Sequence, residues 1–358
     1  MKIAIDAINI RGGGITHLSN ILNYYDFHNK KTKIIVWCNS EVKKSIKKNR
    51  YISFKNYKIF DGNLLVRYLW TYLFFSKDLN KNNCKVILSL NGIKIKNFNN
   101  NVVFFKNILP LQNKYYNEFP FLKKIKNIIQ YKFFKNSYNN SKSNIFPSHY
   151  AKNLFEKKFG KRINNFVVYH GVLENKILSR LNNNKIVCIS SLEKFKNIEN
   201  LIYAVKILQN KNIKFNLKII GPSNKNQKLA LEKLISISNL SKNVKYYGYL
   251  DKKKIMSNLR NSRILVNPSY FESFGLPNLE GCVCGLNIVC SNISVFREIL
   301  NNYPYYFNAK SPILIAKQLS LALKTKKVSK KKIIIIKKKF NWKTTSKETF
   351  DIIENAKN

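Results

Sequence analysis

Acidic residues, histidine and long apolar runs are scarce in this sequence. The 358 residues include 18 Asp and Glu against 65 Lys and Arg, a formal net charge of +47. There are four His, and the six Cys form no CxxC pair, which argues against a zinc site or a disulfide framework. The longest apolar run, Tyr68–Phe75, is far below the roughly 20 residues of a membrane-spanning helix. The charged, glycine-containing opening predicts no signal peptide, so we expect a cytoplasmic protein with reduced thiols.

The positive charge limits the classes of partner. Such a field attracts polyanions, namely nucleic acid, anionic lipid headgroups or nucleotide phosphates. The chain is also rich in Asn and Ile, which share A- and T-rich codons with Lys, so the charge alone favours nucleic acid only weakly. Hydrophobic residues make up 45% of the chain and aromatics 13%, enough for folded cores. The length predicts two domains at roughly 150 residues each.

Short apolar runs alternate with longer amphipathic stretches along the whole chain. Runs such as Lys2–Ala7 and Lys185–Ser190 predict buried strands, whereas Ile198–Leu208 has its apolar residues at helical spacing. This alternation predicts parallel sheets with helices on both faces, and two such series predict two doubly wound α/β domains. A polar stretch between residues 171 and 185 marks the expected seam.

In doubly wound sheets, ligands bind outside the carboxyl ends of the strands. The strongest pattern there is PSYFESFGLPNLEG, residues 268–281. Pro277 suits the first turn of a helix, so the segment Phe274–Leu276 would turn backbone N–H groups towards an anion. Glu272 and Glu280 flank this segment and suit sugar or ribose hydroxyls. Alternatively, Glu280 only complements the helix dipole and Glu272 is a solvated loop charge.

Three other strand ends carry compatible chemistry. Lys196 lies in SSLEKFKN, beside a predicted helix N-terminus that also favours an anion. Gly221 ends a strand in IIGP, and Tyr249 lies in YGYL, where a flat nucleobase has room against the backbone. Taken singly, Lys196 is one lysine in a lysine-rich chain. Four consecutive strand ends of this kind favour a nucleotide-like ligand.

Together these motifs resemble retaining glycosyltransferase family 4, the group 1 glycosyltransferases, whose signature is two glutamates separated by seven residues. The resemblance is specific from about residue 187 to residue 298, and looser over Asp6–Ile15, Asn107–Pro110 and Phe146–Leu154. It implies the GT-B fold, two Rossmann-like domains with parallel sheets facing across a cleft. The N-terminal acceptor-side domain would span residues 1–170 and the nucleotide-sugar domain residues 171–342, with a C-terminal helix, 343–358, packing back on the first domain.

The resemblance also implies roles for individual residues. Lys196 would bind the donor diphosphate and Glu272 would contact the transferred sugar, as the catalytic pair. The donor-binding residues would be Glu280, Phe274, Gly275, Leu276, Gly221, Tyr249, Gly13 and Gly14, and the acceptor-side residues Asn107 and Ser148. Many members carry an arginine beside the lysine on the diphosphate, and Ser191 stands there in this chain. No acidic metal clamp is evident, so neither a metal nor a cofactor is expected; the nucleotide-diphosphate sugar is a substrate.

The predicted function is therefore retaining transfer of a hexose-like sugar from a nucleotide-diphosphate sugar to a glycan or lipid-linked glycan. A role in bacterial surface polysaccharide synthesis (O-antigen, capsule or lipopolysaccharide) is expected. Two alternatives stay open, a basic nucleic-acid-binding protein and a catalytically weak nucleotide-sugar-binding homologue. No nucleic-acid-binding motif is present, and the paired glutamates would be unfavourable against a polyanion, so no specific nucleic acid is expected.

A basic amphipathic stretch spans Phe121–Lys135. Its apolar residues Phe121, Ile125, Ile128 and Ile129 fall on one side of a helix. Two interpretations fit this pattern: a helix lying peripherally on the anionic inner face of the cell membrane, or a domain helix whose apolar side packs on its sheet.

Overall fold

The chain divides into two compact units. A computed structural model describes residues 1–27, 32–113, 119–172, 184–325 and 328–357. Unit 1 comprises Met1–Gly171 and Trp342–Asn358, and unit 2 comprises Val172–Asn341. Most of the predicted seam, residues 173–183, lies outside the described residues.

The sheet of unit 1 has seven parallel strands among the described residues. In chain order these are β1 Lys2–Ala7, β2 Lys33–Cys38, β3 Ile52–Lys55, β4 Val86–Ser89, β5 Asn101–Phe104, β6 Ser143–Phe146 and β7 Asn165–Val167. Their order across the sheet is β3-β2-β1-β4-β5-β6-β7. The direction of winding reverses between β1 and β4, which is the switch point of a Rossmann-type sheet.

Parallel strands require crossover connections. Most of those described in unit 1 contain a helix, whereas β4 and β5 are joined by residues 90–100 without one. The helices are α1 Gly13–Asn23, α2 Ser40–Ser45, α3 Leu64–Leu73, α4 Phe75–Lys81, α5 Phe121–Asn140 and α6 His149–Phe159. Asn39, Asn63 and Ser148 are the N-caps of α2, α3 and α6, and each side chain accepts a hydrogen bond from its helix backbone. Strands β4 and β5 are buried along their whole length, as expected for a sheet covered on both faces.

The sheet of unit 2 repeats this plan with six parallel strands among the described residues. They are β8 Lys185–Ile189, β9 Asn216–Ile220, β10 Val244–Tyr246, β11 Ile264–Asn267, β12 Asn287–Ser291 and β13 Tyr305–Phe307. The order is β10-β9-β8-β11-β12-β13, so β8 lies between β9 and β11. The loops that follow these three strands are consequently neighbours.

Seven further helices belong to the described part of unit 2. They are α7 Ile198–Asn210, α8 Lys225–Ile237, α9 Lys252–Arg260, α10 Leu276–Val283, α11 Ser294–Leu300, α12 Pro312–Lys324 and α13 Lys330–Lys339. Helix α7 places Leu201, Ile202 and Val205 in the core that the sheet shares with α12. This is the helical face that the 3- and 4-residue spacing predicts.

The last helix, α14 (Trp342–Asn355), belongs to unit 1. Ser346 Oγ donates a hydrogen bond to the Ile21 carbonyl of α1 at 2.7 Å, and Thr345 Oγ1 donates to the Tyr169 carbonyl at 2.8 Å. Because both hydroxyls donate to main-chain carbonyls of unit 1, these hydrogen bonds hold α14 against the rest of that unit.

The predicted fold class, α/β with two doubly wound parallel sheets, is confirmed by this topology. Two strands were missed, β3 and β13, and both lie at an edge of their sheet. Their residues are mostly half-buried or exposed, so they lack the continuous apolar run by which buried parallel strands are found. No helix in the described ranges is long and apolar enough to cross a membrane.

Candidate functional site

The ends of β8, β9 and β11 meet at the carboxyl edge of the unit 2 sheet. Ser190 N donates to the Ile220 carbonyl at 2.8 Å, and Tyr270 N donates to the Phe195 carbonyl at 2.9 Å. The Phe195 and Phe271 rings stack at 4.6 Å between centroids. These contacts hold the loop after β8 against the loop after β11, which carries Glu272.

Lys196 and Glu272 form an ion pair across these two loops. Ser269 Oγ also donates to Glu272 Oε1, at 3.2 Å. The neighbouring Asn197 adopts a left-handed conformation with φ 59°, and its amide donates to the carbonyls of Pro268 at 3.0 Å and Ala309 at 2.7 Å. The pair is therefore held at a fixed place, while each side chain is still 17–19% exposed and within reach of a ligand.

Glu280 is paired with a lysine that the sequence did not indicate. It lies in the second turn of α10, and its carboxylate accepts from Lys252 Nζ. Lys252 is the first residue of α9, which Asp251 caps by accepting from Lys254 N at 2.9 Å. The Glu280 side chain is 11% exposed, so the ammonium group supplies most of the compensation that a nearly buried carboxylate needs.

The N-terminus of α10 lies between the two glutamates along the chain. Gly275 precedes the helix with φ 92°, and a Cβ there would lie 2.6 Å from Phe296 Cε1. The first amides of a helix have no partner within it and favour an anion. Asn278 Nδ2 is buried and has no hydrogen-bond partner within the described ranges, while Asn278 Oδ1 accepts from Asn267 at 3.1 Å. Pro277 has no N–H and Asn278 N donates to the Gly275 carbonyl at 3.0 Å, so the donors at this end of α10 are the Leu276 N–H and the Asn278 side-chain amide.

Gly221 and Tyr249 lie at the adjoining strand ends. Gly221 N donates to the Gly248 carbonyl at 2.8 Å, and a Cβ on Gly221 would lie 2.0 Å from the Ser190 carbonyl oxygen. Only glycine therefore permits β8 and β9 to approach so closely. The Tyr249 side chain is exposed and available to a flat ligand. Ser191 is half-buried in the loop after β8.

The predicted residues of unit 1 lie near the carboxyl edge of their own sheet. Gly13 and Gly14 form the first turn of α1, with no atom within 4 Å of a Cβ added at Gly13. Asn107 is exposed after β5, and its Oδ1 accepts from Leu109 N at 3.0 Å. Ser148 is fully buried and caps α6 by accepting from Ala151 N at 3.0 Å. The geometry thus gives Ser148 a structural task and leaves Asn107 accessible.

A buried basic cluster at the same edge of unit 1 was also not predicted. His17 Nδ1 and His170 Nδ1 lie 2.9 Å apart, and both rings contact Trp342. Lys106 Nζ lies 5.0 Å from the centroid of the Phe104 ring. Within the part of the chain that the structure describes, Lys106 Nζ has no hydrogen-bond partner.

Burial governs the protonation of this cluster. It lowers the pKa of Lys106 to about 7 and that of His170 to about 3. The pKa of His17 is also lowered well below its ordinary value, first by burial and then by the charge of Lys106. Both imidazoles are therefore neutral near pH 7. Across the described residues, no three His, Cys, Asp or Glu side chains gather as metal ligands.

Sequence comparison identifies the class of unit 2. Residues 172–339 match the family model described as "Glycosyl transferases group 1". An uncharacterized glycosyltransferase of Methanocaldococcus jannaschii is 28% identical over 168 residues, which are 47% of this chain and 45% of the relative. O-antigen chain mannosyltransferase B of Escherichia coli is 36% identical over 59 residues, 16% of each chain. The alignments thus span less than half the length of these curated relatives.

Solved structures agree over nearly the whole chain. Sucrose-phosphate synthase from Thermosynechococcus elongatus has a TM-score of 0.78 at 14% identity, covering 99% of this chain and 98% of that one. HepE of Anabaena, in complex with UDP-glucose, has a TM-score of 0.77 at 14% identity, covering 99% and 100%. At such identities the likeness shows the fold, which is GT-B. Over residues 172–339, unit 2 matches the group 1 glycosyltransferase model, so the predicted resemblance to group 1 glycosyltransferases is confirmed. Family 4 and retention of configuration stay predictions.

Proposed function

We propose that the protein transfers a hexose-like sugar, with retention of configuration, from a nucleotide-diphosphate sugar to a glycan or lipid-linked glycan. The observation that carries this proposal is the arrangement around α10. Glu272 and Glu280 flank the N-terminus of one helix, and each is paired with a lysine, Lys196 and Lys252. An anion cradle between two hydroxyl acceptors matches a ligand that joins phosphate to sugar at one end and to ribose at the other.

The chemistry follows from the charge that develops during the reaction. Departure of a nucleoside diphosphate leaves an oxocarbenium-like sugar and an anionic leaving group, so stabilising that anion is the main task. Lys196, the Leu276 N–H and the Asn278 side-chain amide would do so. Glu272 would accept hydrogen bonds from hydroxyl groups of the transferred sugar, and Glu280 would accept them from the ribose hydroxyls. We propose that neither a metal ion nor a cofactor is required, so that transfer continues in the presence of a chelator.

The relatives indicate the biological setting. One is named for an O-antigen chain mannosyltransferase, and a structural neighbour is a glycosyltransferase involved in lipopolysaccharide biosynthesis. The HepE structures contain UDP and UDP-glucose. We therefore propose a hexosyl donor and a bacterial surface polysaccharide precursor as acceptor, with the enzyme acting in the cytoplasm at the inner membrane face.

The first test is a thermal-shift screen of the purified protein against UDP-, GDP-, ADP- and dTDP-sugars. A ligand at about 100 times its dissociation constant stabilises the folded state by about 2.7 kcal/mol, a clear rise in Tm. We expect one nucleotide class to shift Tm and the Glu280→Ala variant to lose that shift. The selected donor is then used to measure sugar transfer and nucleotide release, with and without chelator.

The matched control is an ion pair on the surface of the same unit. Lys228 and Glu232 of α8 are 3.8 Å apart and about half exposed, so the double change Lys228→Ala with Glu232→Ala removes the same kinds of group without touching the site. It should keep the full donor shift. If no nucleotide stabilises the protein, and duplex DNA does so at low salt, the transferase proposal is wrong and the nucleic-acid alternative gains.

Ser191 supports one second candidate, a weakly active nucleotide-sugar-binding homologue. It lies at the position where the family resemblance implies a second cation on the diphosphate. If that cation limits turnover here, Ser191→Arg should raise kcat while the donor-induced Tm shift stays similar. An unchanged or lower kcat would remove this candidate.

A further inference from the structure

Helix α5 of unit 1 turns the larger part of its apolar surface outwards. Phe121 and Leu122 are 74% and 80% exposed, and Ile125, Ile128, Ile129 and Phe133 are also exposed. The side that packs on the sheet is a different one, with Phe134 and Tyr138 fully buried. The structure therefore excludes the interpretation in which the Phe121–Ile128 side covers the sheet.

Helix α3 has a second outward apolar face. Leu65 and Leu69 are 70% and 59% exposed, and Tyr72 and Leu73 are more than half exposed. These residues recur at 3- and 4-residue spacing on one side of the helix. The other side holds Trp70 against Phe60, with ring centroids 4.7 Å apart. The exposed residues thus form a second apolar face of α3, which takes no part in packing against the core.

The two helices flank one connecting segment. Lys96 Nζ donates to Tyr72 OH of α3 at 2.7 Å, and Lys94 N donates to Ser137 Oγ of α5 at 2.9 Å. Both helices run back from the carboxyl ends of parallel strands, so their N-terminal turns lie towards the edge that presents Asn107. The β3–β4 and β5–β6 connections, which contain α3 and α5, also cross the sheet in the same direction. Right-handed crossovers therefore put both helices, and their outer apolar faces, on one side of unit 1.

The charge around this apolar surface indicates which kind of partner it binds. Helix α5 carries five lysines, Lys123, Lys124, Lys126, Lys132 and Lys135, and neither α5 nor α3 has an Asp or Glu. A second copy of the chain would bring like charges together, which disfavours pairing through this face. Anionic lipid headgroups complement the lysines while the apolar side chains enter the headgroup and acyl boundary.

We propose that the outer faces of α3 and α5 form one docking surface for an anionic phospholipid bilayer. The surface is a property of unit 1 and is tested without donor or acceptor, so its failure is distinct from failure of the proposed transfer. If both hold, the bilayer brings a lipid-linked acceptor to the edge of unit 1 that carries the predicted acceptor loop.

The experiment is co-sedimentation of the full chain with vesicles of phosphatidylcholine, alone or containing phosphatidylglycerol. We expect binding to the anionic vesicles only, weakening as salt rises. The triple variant Lys126→Gln, Lys132→Gln, Lys135→Gln should bind about 100-fold more weakly, at about 5-fold for each lysine lost. The pair Phe121→Ser with Leu122→Ser should weaken binding at least about 10-fold by removing inserted apolar surface.

The control removes equal charge elsewhere. Lys225, Lys228 and Lys233 are exposed on α8 of unit 2, and changing all three to Gln should leave vesicle binding within about 3-fold. Unchanged Tm values in all variants will show that each is folded. Absence of vesicle binding, or equal weakening by the α5 and α8 triples, would overturn the proposal in favour of generic charge attraction.

Insertion is tested separately by site-specific labelling. All six Cys are buried, so a single exposed cysteine can carry an environment-sensitive dye. A dye on Leu122→Cys should shift to the blue with anionic vesicles, and a dye on Leu229→Cys of α8, also an exposed leucine, should not. A shift at both positions, or at neither, contradicts docking through α5.

Discussion

Charged side chains at the carboxyl edges of the two sheets differ in their pairing and in their exposure to solvent. In unit 2, Lys196 and Glu272 are paired with each other and remain 17–19% exposed. In unit 1, Lys106 Nζ is buried beside two neutral imidazoles, with no hydrogen-bond partner among the described residues. A paired, partly exposed charge can exchange its partner for a ligand at small cost, whereas a buried charge without a partner destabilises the fold. The difference predicts that unit 2 holds the donor and that the unit 1 cluster costs stability.

The largest expected effect comes from breaking the Lys196–Glu272 pair. Removing one group that stabilises developing charge typically costs about 100- to 1000-fold in kcat. We expect Lys196→Ala and Glu272→Ala each to fall in that range. The double variant should be little worse than either single one, because the two groups are in direct contact and act as one unit. Initial rates at saturating donor measure this cycle.

Two outcomes would contradict that prediction. Strict additivity of the two losses would mean that the residues act independently of each other. A comparable loss in the Lys228→Ala, Glu232→Ala control would show that kcat responds to surface charge alone.

A smaller effect is expected on stability, where a glycine at the edge of unit 2 and one at the edge of unit 1 should differ in their tolerance of a side chain. Gly275 has φ 92°, and an added Cβ would meet Phe296 at 2.6 Å, whereas Gly13 has open space. Gly275→Ala should therefore lower the free energy of unfolding by about 1–3 kcal/mol, and Gly13→Ala by less than about 0.5 kcal/mol. Denaturant titration of both variants tests the contrast. Equal destabilisation of the two variants would show that a side chain at residue 275, just before α10, causes no strain.

The donor-side residues were predictable because their signal is local. Glu272, Gly275 and Glu280 occupy one loop and one helix turn, so their spacing along the chain already places them at a strand end. Lys252 was not predictable. It begins a run of three lysines, and only the orientation of α9 brings this one to Glu280, 28 residues away.

The features of unit 1 depend on contacts distant in sequence. His17 and His170 meet across 153 residues, through a sheet whose winding no short pattern encodes. Helix α5 shows a related limit, since its periodicity defines an apolar side but not whether that side faces the sheet. The aromatic residues Phe134 and Tyr138 occupy the core instead, which leaves Phe121 outside.

The third prediction concerns Lys252 as a positioning residue. Its ammonium compensates a Glu280 side chain that is only 11% exposed. Lys252→Gln should therefore raise the donor KM about 10-fold, equivalent to about 1.4 kcal/mol, while kcat changes by less than about 2-fold, because ribose binding is equal in ground and transition states. Rates over a range of donor concentrations separate the two constants. A fall in kcat at unchanged KM would instead assign Lys252 to the chemical step.

The smallest expected effect concerns Lys106 in the buried basic cluster of unit 1 and the pH dependence of stability. Because burial lowers the pKa of Lys106 to about 7 from an ordinary 10.5, the unfolded chain binds a proton between those values that the folded chain has released. Stability therefore rises with pH across this window, and at lower pH the buried charge is a cost. Lys106→Met removes that cost, so it should raise stability by about 1 kcal/mol near pH 6, with the gain shrinking towards pH 9. Tm values of both proteins at the two pH values provide the measurement, and the difference between them cancels the titration of groups that they share. A destabilised variant, or a gain independent of pH, would mean that Lys106 is compensated in the folded protein and that the two edges are less different than their geometry indicates.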